Sequence, residues 1–470
     1  MFEQLDALKP ALKKLVEALR KEYAYASVLA SVSDERSWSI SRAGSAIRTG
    51  GLARDGGFVV RVFDQTGCGE YSFNRFSEGM IPEICRKIHE DLTAAAEGLR
   101  AGITPMPTRM PSDEPACLKK EAVCRIHPRE LGDEAILAKL TKIRSKGLET
   151  EGILDVACHV SYKDYRKIFI SENRDLDQRV IWTTAAVMAM ARREQEIKDS
   201  YKGFSCLGGA ELLDQVESGL PGVLQRTLEL LNSEPMIPGE YDCICDPETT
   251  GMIVHEAFGH GVEMDMFVKD RALARSCMNG VVASPLVTMH DGSAVDEVAT
   301  FLFDDEGTLS GDTVIIDKGI LKRGMCDALS AARLGTEPTG NGRRESFERK
   351  AYTRMTNTYF EGGSDSLEDM MASISYGFLL ENPSSGMEDP KNWGIQCMVN
   401  IAREIRDGKL TGRIFSPIVL TGYVPDLLKS VSMMGPDIRL GGGGFCGKGH
   451  KEWVKVSDGG PYMKARIRLG

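Results

Sequence analysis

Met252-Ile253-Val254-His255-Glu256-Ala257-Phe258-Gly259-His260-Gly261 is the stretch from which the rest of the chain can be read. Two histidines and a carboxylate interrupt an otherwise apolar run. Metal-hydrolase sites use neutral imidazoles as ligands and a carboxylate as proton carrier. The familiar helical arrangement is H-E-x-x-H, whose histidines at i and i+4 share one face. Here the spacing is one residue longer. Positions i and i+5 of a regular α-helix lie about 140° apart, so both rings would not reach one ion. A single π-turn, closing i to i+5, returns them to one face. The spacing therefore predicts either a π-bulge between His255 and His260 or a helix that breaks at Gly259. A buried helix with two satisfied histidines is the plainer account, but Glu256 inside an apolar run needs a reason.

Outward from this stretch the chain changes texture. Its 470 residues are too many for one core, which predicts two or three domains. Pro235, Pro238 and Gly239 mark a boundary between an N-terminal domain, 1–232, and a C-terminal domain, 233–470. The N-terminal part opens with a helix built on Leu5, Leu8, Leu12, Leu15 and Leu19. Strand-like runs follow at Tyr25–Ser33, Ser37–Ala46, Gly57–Phe63 and Gly69–Phe73, the last after the turn Asp64-Gln65-Thr66-Gly67, and then a helix over Ser77–Leu99. Four prolines make residues 102–115 a connector. A helix over Asp133–Lys146, strands over Ile153–Tyr162, Lys167–Glu172 and Arg179–Arg192, and a helix over Gly219–Leu231 complete this part. The order helix, strand, strand occurs twice, which predicts one α+β domain with two halves.

Beyond the boundary glycine is frequent and β-type runs dominate. They are Tyr241–Cys245, Gly280–Met289, Thr313–Ile316, Asn357–Phe360, Gly394–Glu404, Arg413–Leu420 and Trp453–Val456. Helices are fewer: Leu367–Ile374, Asp426–Ser432 and the stretch quoted above. The fold class expected is α+β, with a mainly antiparallel β C-terminal domain carrying one buried metal-site helix.

Net charge is −10 and no large basic block occurs, which argues against a nucleic-acid partner. No run of 18 apolar residues and no signal-like N-terminus is present, so no membrane association is expected. Twelve cysteines are scattered without a disulfide framework, which points to a reducing, cytoplasmic compartment.

Two histidines do not complete a metal site; three protein ligands are needed. The strongest remote candidate is Cys446, in Gly441-Gly442-Gly443-Gly444-Phe445-Cys446-Gly447-Lys448-Gly449-His450. So many glycines hold a backbone in unusual torsions and let a thiol approach something closely. Gly442–Lys448 also fits G-x-x-x-x-G-K, the opening of a phosphate-binding loop. Gly449 stands where Ser or Thr should hold magnesium, and a strand rather than a helix follows, so nucleotide binding is not expected.

His255-Glu256-Ala257-Phe258-Gly259-His260, with Glu263 and Asp265 after it, resembles the H-E-x-x-x-H motif of the TldD/PmbA family, in its TldD-type branch. Phe303–Gly307, Gly319–Leu321, Thr339–Asn341, Arg354–Thr358, Asp407–Lys409 and Cys446–Lys448 are similar to family segments as well, and so is Gly57–Val62 near the N-terminus. The resemblance implies a cytoplasmic zinc protease acting on unfolded or small peptides, working as a homodimer or as a heterodimer with a TldE/PmbA-like subunit. It implies His255, His260 and Cys446 as the Zn2+ ligands and Glu256 as general base. The family usually reads C-G-K-x-G-Q after the cysteine, whereas here Gly449 and His450 directly follow Lys448.

Glu263 and Asp265 are candidates to orient the imidazoles. His450 is a candidate to stabilise an oxyanion, and Arg343, Arg344 and Arg354 to grip a peptide carboxylate; a surface loop and ordinary ion pairs are the plainer accounts of these. Two other classes of function stay open beside the peptidase. One is a metal-bound, catalytically silent subunit that presents peptides. The other is a metal hydrolase of small amides.

Overall fold

The structure is a computed structural model, and it describes residues 2–49, 56–63, 67–100, 112–448 and 451–470. Most of the proline-rich connector, the turn residues 64–66 and His450 lie outside the described residues.

Residues up to Leu207 build one eight-stranded sheet. Its centre is the antiparallel pair Tyr25–Ser41 and Ile153–Ile170, one strand from each sequence half. Side chains alternate across a strand, so each strand serves two cores. On one face Val28, Val60 and Ile168 meet the first helix, Phe2–Leu19. On the same face Val160 and Val187 meet the helices Asp133–Leu148 and Leu212–Leu230. On the opposite face Leu29, Val59, Phe169 and Leu176 meet Phe303, and Trp182 meets Val298. Burial on both faces explains why these strands read as nearly continuous apolar runs.

Several elements differ from the sequence expectation. Tyr25–Ser33 and Ser37–Ala46 are not separated at Asp34-Glu35-Arg36; one strand runs Tyr25–Ser41 and turns at Arg42-Ala43 into Gly44–Thr49. The charges do not break it, because each finds a distant partner. Asp34 accepts from Tyr162 at 2.6 Å and pairs with Arg129, and Arg36 meets Asp133 at 2.7 Å. Ile153–Ile170 is likewise one strand, with Asp164 held by Arg179 at 2.6 Å and Arg166 by Asp177 at 2.7 Å. Gly280–Met289 is not one strand; Pro285 interrupts it, Val281 forms an isolated bridge to Ile320, and a strand begins only at Met289. Arg413–Leu420 is split at the cis Ser416–Pro417 bond into Lys409–Phe415 and Ile418–Tyr423. Glu196–Leu207, Tyr376–Asp389 and Met463–Leu469 are strands that the pattern did not reveal.

The C-terminal part holds two larger sheets. In one, Tyr376–Asp389, Gly239–Cys245, Met463–Leu469, Ile418–Tyr423 and Gly394–Arg406 pair in turn, and the last pairs back to the first. A closed ring leaves no free edge among these five. The other is six-stranded and contains Asn357–Phe360 beside Ser457–Gly460. Apart from that pair and Tyr376–Asp389 with Gly239–Cys245, the strand pairings here are antiparallel. The helix quoted at the outset packs between the ring and the second sheet.

Candidate metal centre

The helix starts at Pro247, with Asp246 Oδ1 accepting from the Thr249 amide at 2.8 Å. It runs as an α-helix to Met252 and then as a π-helix over Ile253–Gly259. The His260 amide donates to the His255 carbonyl, an i to i+5 bond between the two histidines themselves. Ile253, Val254, Ala257 and Phe258 are fully buried, so packing anchors the wound segment. A methyl group on Gly251 would lie 2.8 Å from the Gly459 Cα, so helix and strand meet backbone to backbone there.

The π-turn brings the rings together edge to face, 5.1 Å apart. Cys446, on the ribbon formed by Phe445–Lys448 and Lys451–Lys455, reaches the same point. Its Sγ lies 3.2 Å from His255 Nε2 and 3.4 Å from His260 Nε2, and all three ligand atoms fall within 4.8 Å of one another. Tetrahedral zinc with ordinary bond lengths would separate sulfur and nitrogen by about 3.6 Å, so the donor set fits one metal ion in size and chemistry. Burial raises the Cys446 thiol, but the two imidazoles outweigh it and bring it down to about 5. The sulfur is thus poised as a thiolate.

Four neighbours complete the centre. Glu256 Oε2 stands 4.0 Å from His260 Nε2. Glu263, fully buried, accepts at 3.2 Å from His260 Nδ1, leaving Nε2 for the cluster. Burial pushes Glu263 up, yet Lys448, 3.0 Å away, and His260 hold it well below the usual carboxylate range. Asp265 meets Lys448 at 2.6 Å instead of either imidazole.

Arg354 is not turned toward a peptide. It is fully buried, donating to Cys446 Sγ at 2.9 Å and to Glu263 at 3.3 Å. Arg344 pairs with Glu70 at 2.5 Å. Glu388 escaped sequence reasoning altogether. Burial pushes it well above the usual range although His260 and the Gly261 amide oppose, and both its oxygens are buried. No motif marks Glu388; only the pairing of its strand with Gly394–Arg406 brings it beside Gly261.

Residues 238–467 match a family described as the PmbA/TldA metallopeptidase C-terminal domain. The chain belongs to the PmbA/TldD family. A relative from Methanothermobacter thermautotrophicus named "Metalloprotease" is 29% identical over 364 residues, 76% of this chain and 75% of that protein. A "Zinc metalloprotease TldD homolog" from Saccharolobus solfataricus is 27% identical over 315 residues, 65% of this chain and 69% of its own length. The solved structure of TldE from Thermococcus kodakarensis superposes with a TM-score of 0.73 over 98% of this chain and all of that one, at 17% identity, a likeness of fold. Among the described residues no helix is long and apolar enough to cross a membrane.

Proposed function

We propose that this family member is a zinc peptidase of the TldD type that hydrolyses unfolded or small peptides. The observation that carries the reading is the meeting of His255 and His260 with Cys446, which lies 191 and 186 residues from them in sequence, beside the carboxylate of Glu256. A structural zinc site is closed by four protein ligands, whereas three ligands with a neighbouring base suit catalysis.

His255, His260 and Cys446 would hold the ion, which would acidify a water and polarise a peptide carbonyl. Glu256 takes the proton of the attacking water and returns it to the leaving amine as the C–N bond breaks. A thiolate ligand cancels part of the metal's charge, so proton removal falls more heavily on Glu256. Glu263 fixes the tautomer of His260, and Arg354 holds Cys446 from behind. In this reading residues 1–232 and 233–470 act as two domains in a cytoplasmic homodimer or a heterodimer with a TldE-like subunit. An extended peptide added along a strand edge would be recognised through its backbone, which excludes folded proteins.

The test is metal content by element-specific mass spectrometry on fresh protein beside Cys446→Ser. The expected outcome is about one zinc per chain, falling to near zero in the variant. Zinc indifferent to Cys446 would break the link between helix and ribbon and favour the silent peptide-presenting subunit.

A further inference from the structure

Behind the ribbon that carries Cys446 lies a second site. Phe445 and Cys446 are consecutive in an extended strand, so their side chains leave opposite faces. Cys446 and its partner Val454 face the core around the metal cluster. Phe445 and its partner Lys455 face a cavity of about 150 Å³ between the ribbon and the outer face of the N-terminal sheet. Its floor is made by alternate residues of the two central strands, Leu29 and Ser31 on one, Lys163, Tyr165 and Lys167 on the other. Aromatic rings of Trp182, Phe301, Phe347, Phe445 and Trp453 form the walls. A cavity of about this volume has room for one benzene-sized ring.

The charge of this cavity opposes that of the chain. Five lining residues are cationic and two are acidic, in a protein of net charge −10. Both acids are engaged: Asp305 by Lys167 at 2.8 Å, and Glu345 by the Glu452 amide at 2.9 Å. Arg344 is paired with Glu70, and Lys163 lies 3.8 Å from Glu35. Two cations remain without an ion pair among the described residues, Arg343 and Lys455. Arg343 donates one hydrogen bond, to the Met355 carbonyl at 2.6 Å, with its guanidinium over the Phe301 ring. Lys455 is 5% exposed and its Nζ has no hydrogen-bond partner among the described residues. It rests between rings, 4.6 Å from the centre of Phe445 and 5.1 Å from that of Trp182. Ring faces compensate an ammonium only in part. Burial pulls Lys455 down to about 7, and Glu297 and Asp458 offset only some of that.

A buried cation lacking a partner destabilises the fold unless something else holds it in place. A guanidinium offers a planar fork that matches a carboxylate, and the rings offer an apolar berth for its stem. We propose that this cavity is a binding site for a carboxylate carried on a short apolar or aromatic stem, received by Lys455 and Arg343. The carboxylate is the shared chemistry of two sources, a peptide's C-terminus and an acidic side chain. The site stands apart from the peptidase reading, since neither zinc nor Glu256 takes part in it.

Two of the four tryptophans, Trp182 and Trp453, line the cavity and report on it. The full chain is titrated with N-acetylphenylalanine, with N-acetylphenylalaninamide, and with N-acetylglutamic acid α-amide, whose one carboxylate is on the side chain. Tryptophan fluorescence and calorimetry follow binding. At least one of the two acids should bind tenfold or more tighter than the neutral amide, and the tighter acid names the source. Lys455→Met and Arg343→Met should each lose at least tenfold in that affinity with zinc content unchanged. Ser31→Phe, which fills the floor and leaves both cations in place, should abolish binding and serves if a charge variant does not fold. Equal binding of acids and amide, no binding of any, or parental affinity in the variants would overturn the proposal.

Discussion

The two faces of the Phe445–Lys455 ribbon bury positive charge on different terms. On the metal face, Arg354 is enclosed completely, yet Cys446, Glu263 and the Glu452 carbonyl all receive its hydrogen bonds. Lys448 is matched in the same way by Glu263 and Asp265. Every cation there has an anion made by the fold. On the cavity face, Lys455 is nearly as buried and rests between aromatic rings without an ion pair among the described residues, with Glu297 and Asp458 offsetting only part of its burial. A compensated charge holds a structure in one arrangement, whereas an uncompensated one leaves room for a ligand to supply what is missing. One ribbon thus separates a built centre from one awaiting an anion.

The largest expected effect separates the faces by chemistry. Glu256→Gln should lower peptide hydrolysis by about 10²–10⁴-fold, the usual worth of a general base. Zinc content and carboxylate binding behind the ribbon should both stay at the parental level. Loss of zinc along with activity would instead make Glu256 a ligand.

Arg354→Met attacks the compensated face directly. Removing one partner of a buried pair leaves Glu263 enclosed with Lys448 as its remaining cation, at a cost of about 3–5 kcal/mol. Denaturant unfolding of metal-free protein measures it, and a change below about 1 kcal/mol would mean that Lys448 alone suffices for Glu263.

Glu263→Gln keeps the shape of the side chain and removes the charge facing His260. Zinc affinity, read by competition with a chromophoric chelator, should fall about 10–100-fold. An unchanged affinity would show that packing of the π-turn, not Glu263, orients the ring.

The smallest effect is the most telling contrast. Lys455→Met should leave stability within about 1 kcal/mol of the parent or raise it, because a cation without an anion contributes little to the fold. A loss as large as that of Arg354→Met would show that the two faces do not differ.

Much of this was legible in the chain. The six-residue span from His255 to His260 contradicts a regular helix, and backbone geometry leaves few ways to resolve the conflict; the π-turn is one of the two expected. Cys446 stood out through its glycines, and the mainly antiparallel sheets through alternating runs in a glycine-rich half. Strand ends were less legible where charge occurred mid-strand. Asp34 and Asp164 read as breaks, because a charge in an apolar run is costly unless paired, and their pairing lies elsewhere in the chain.

Sequence by itself determined the local matters: helical periodicity, the misfit spacing of the two histidines, and a remote cysteine of unusual setting. These depend on residues within a few positions of one another, where backbone geometry acts directly. The tertiary structure alone decided that Arg354, 92 residues from Cys446, donates to its sulfur, that Glu388 is buried beside Gly261, and that Lys455 has no hydrogen-bond partner among the described residues. Which anion a buried cation meets depends on the strands that fold beside it, and no local pattern encodes that juxtaposition.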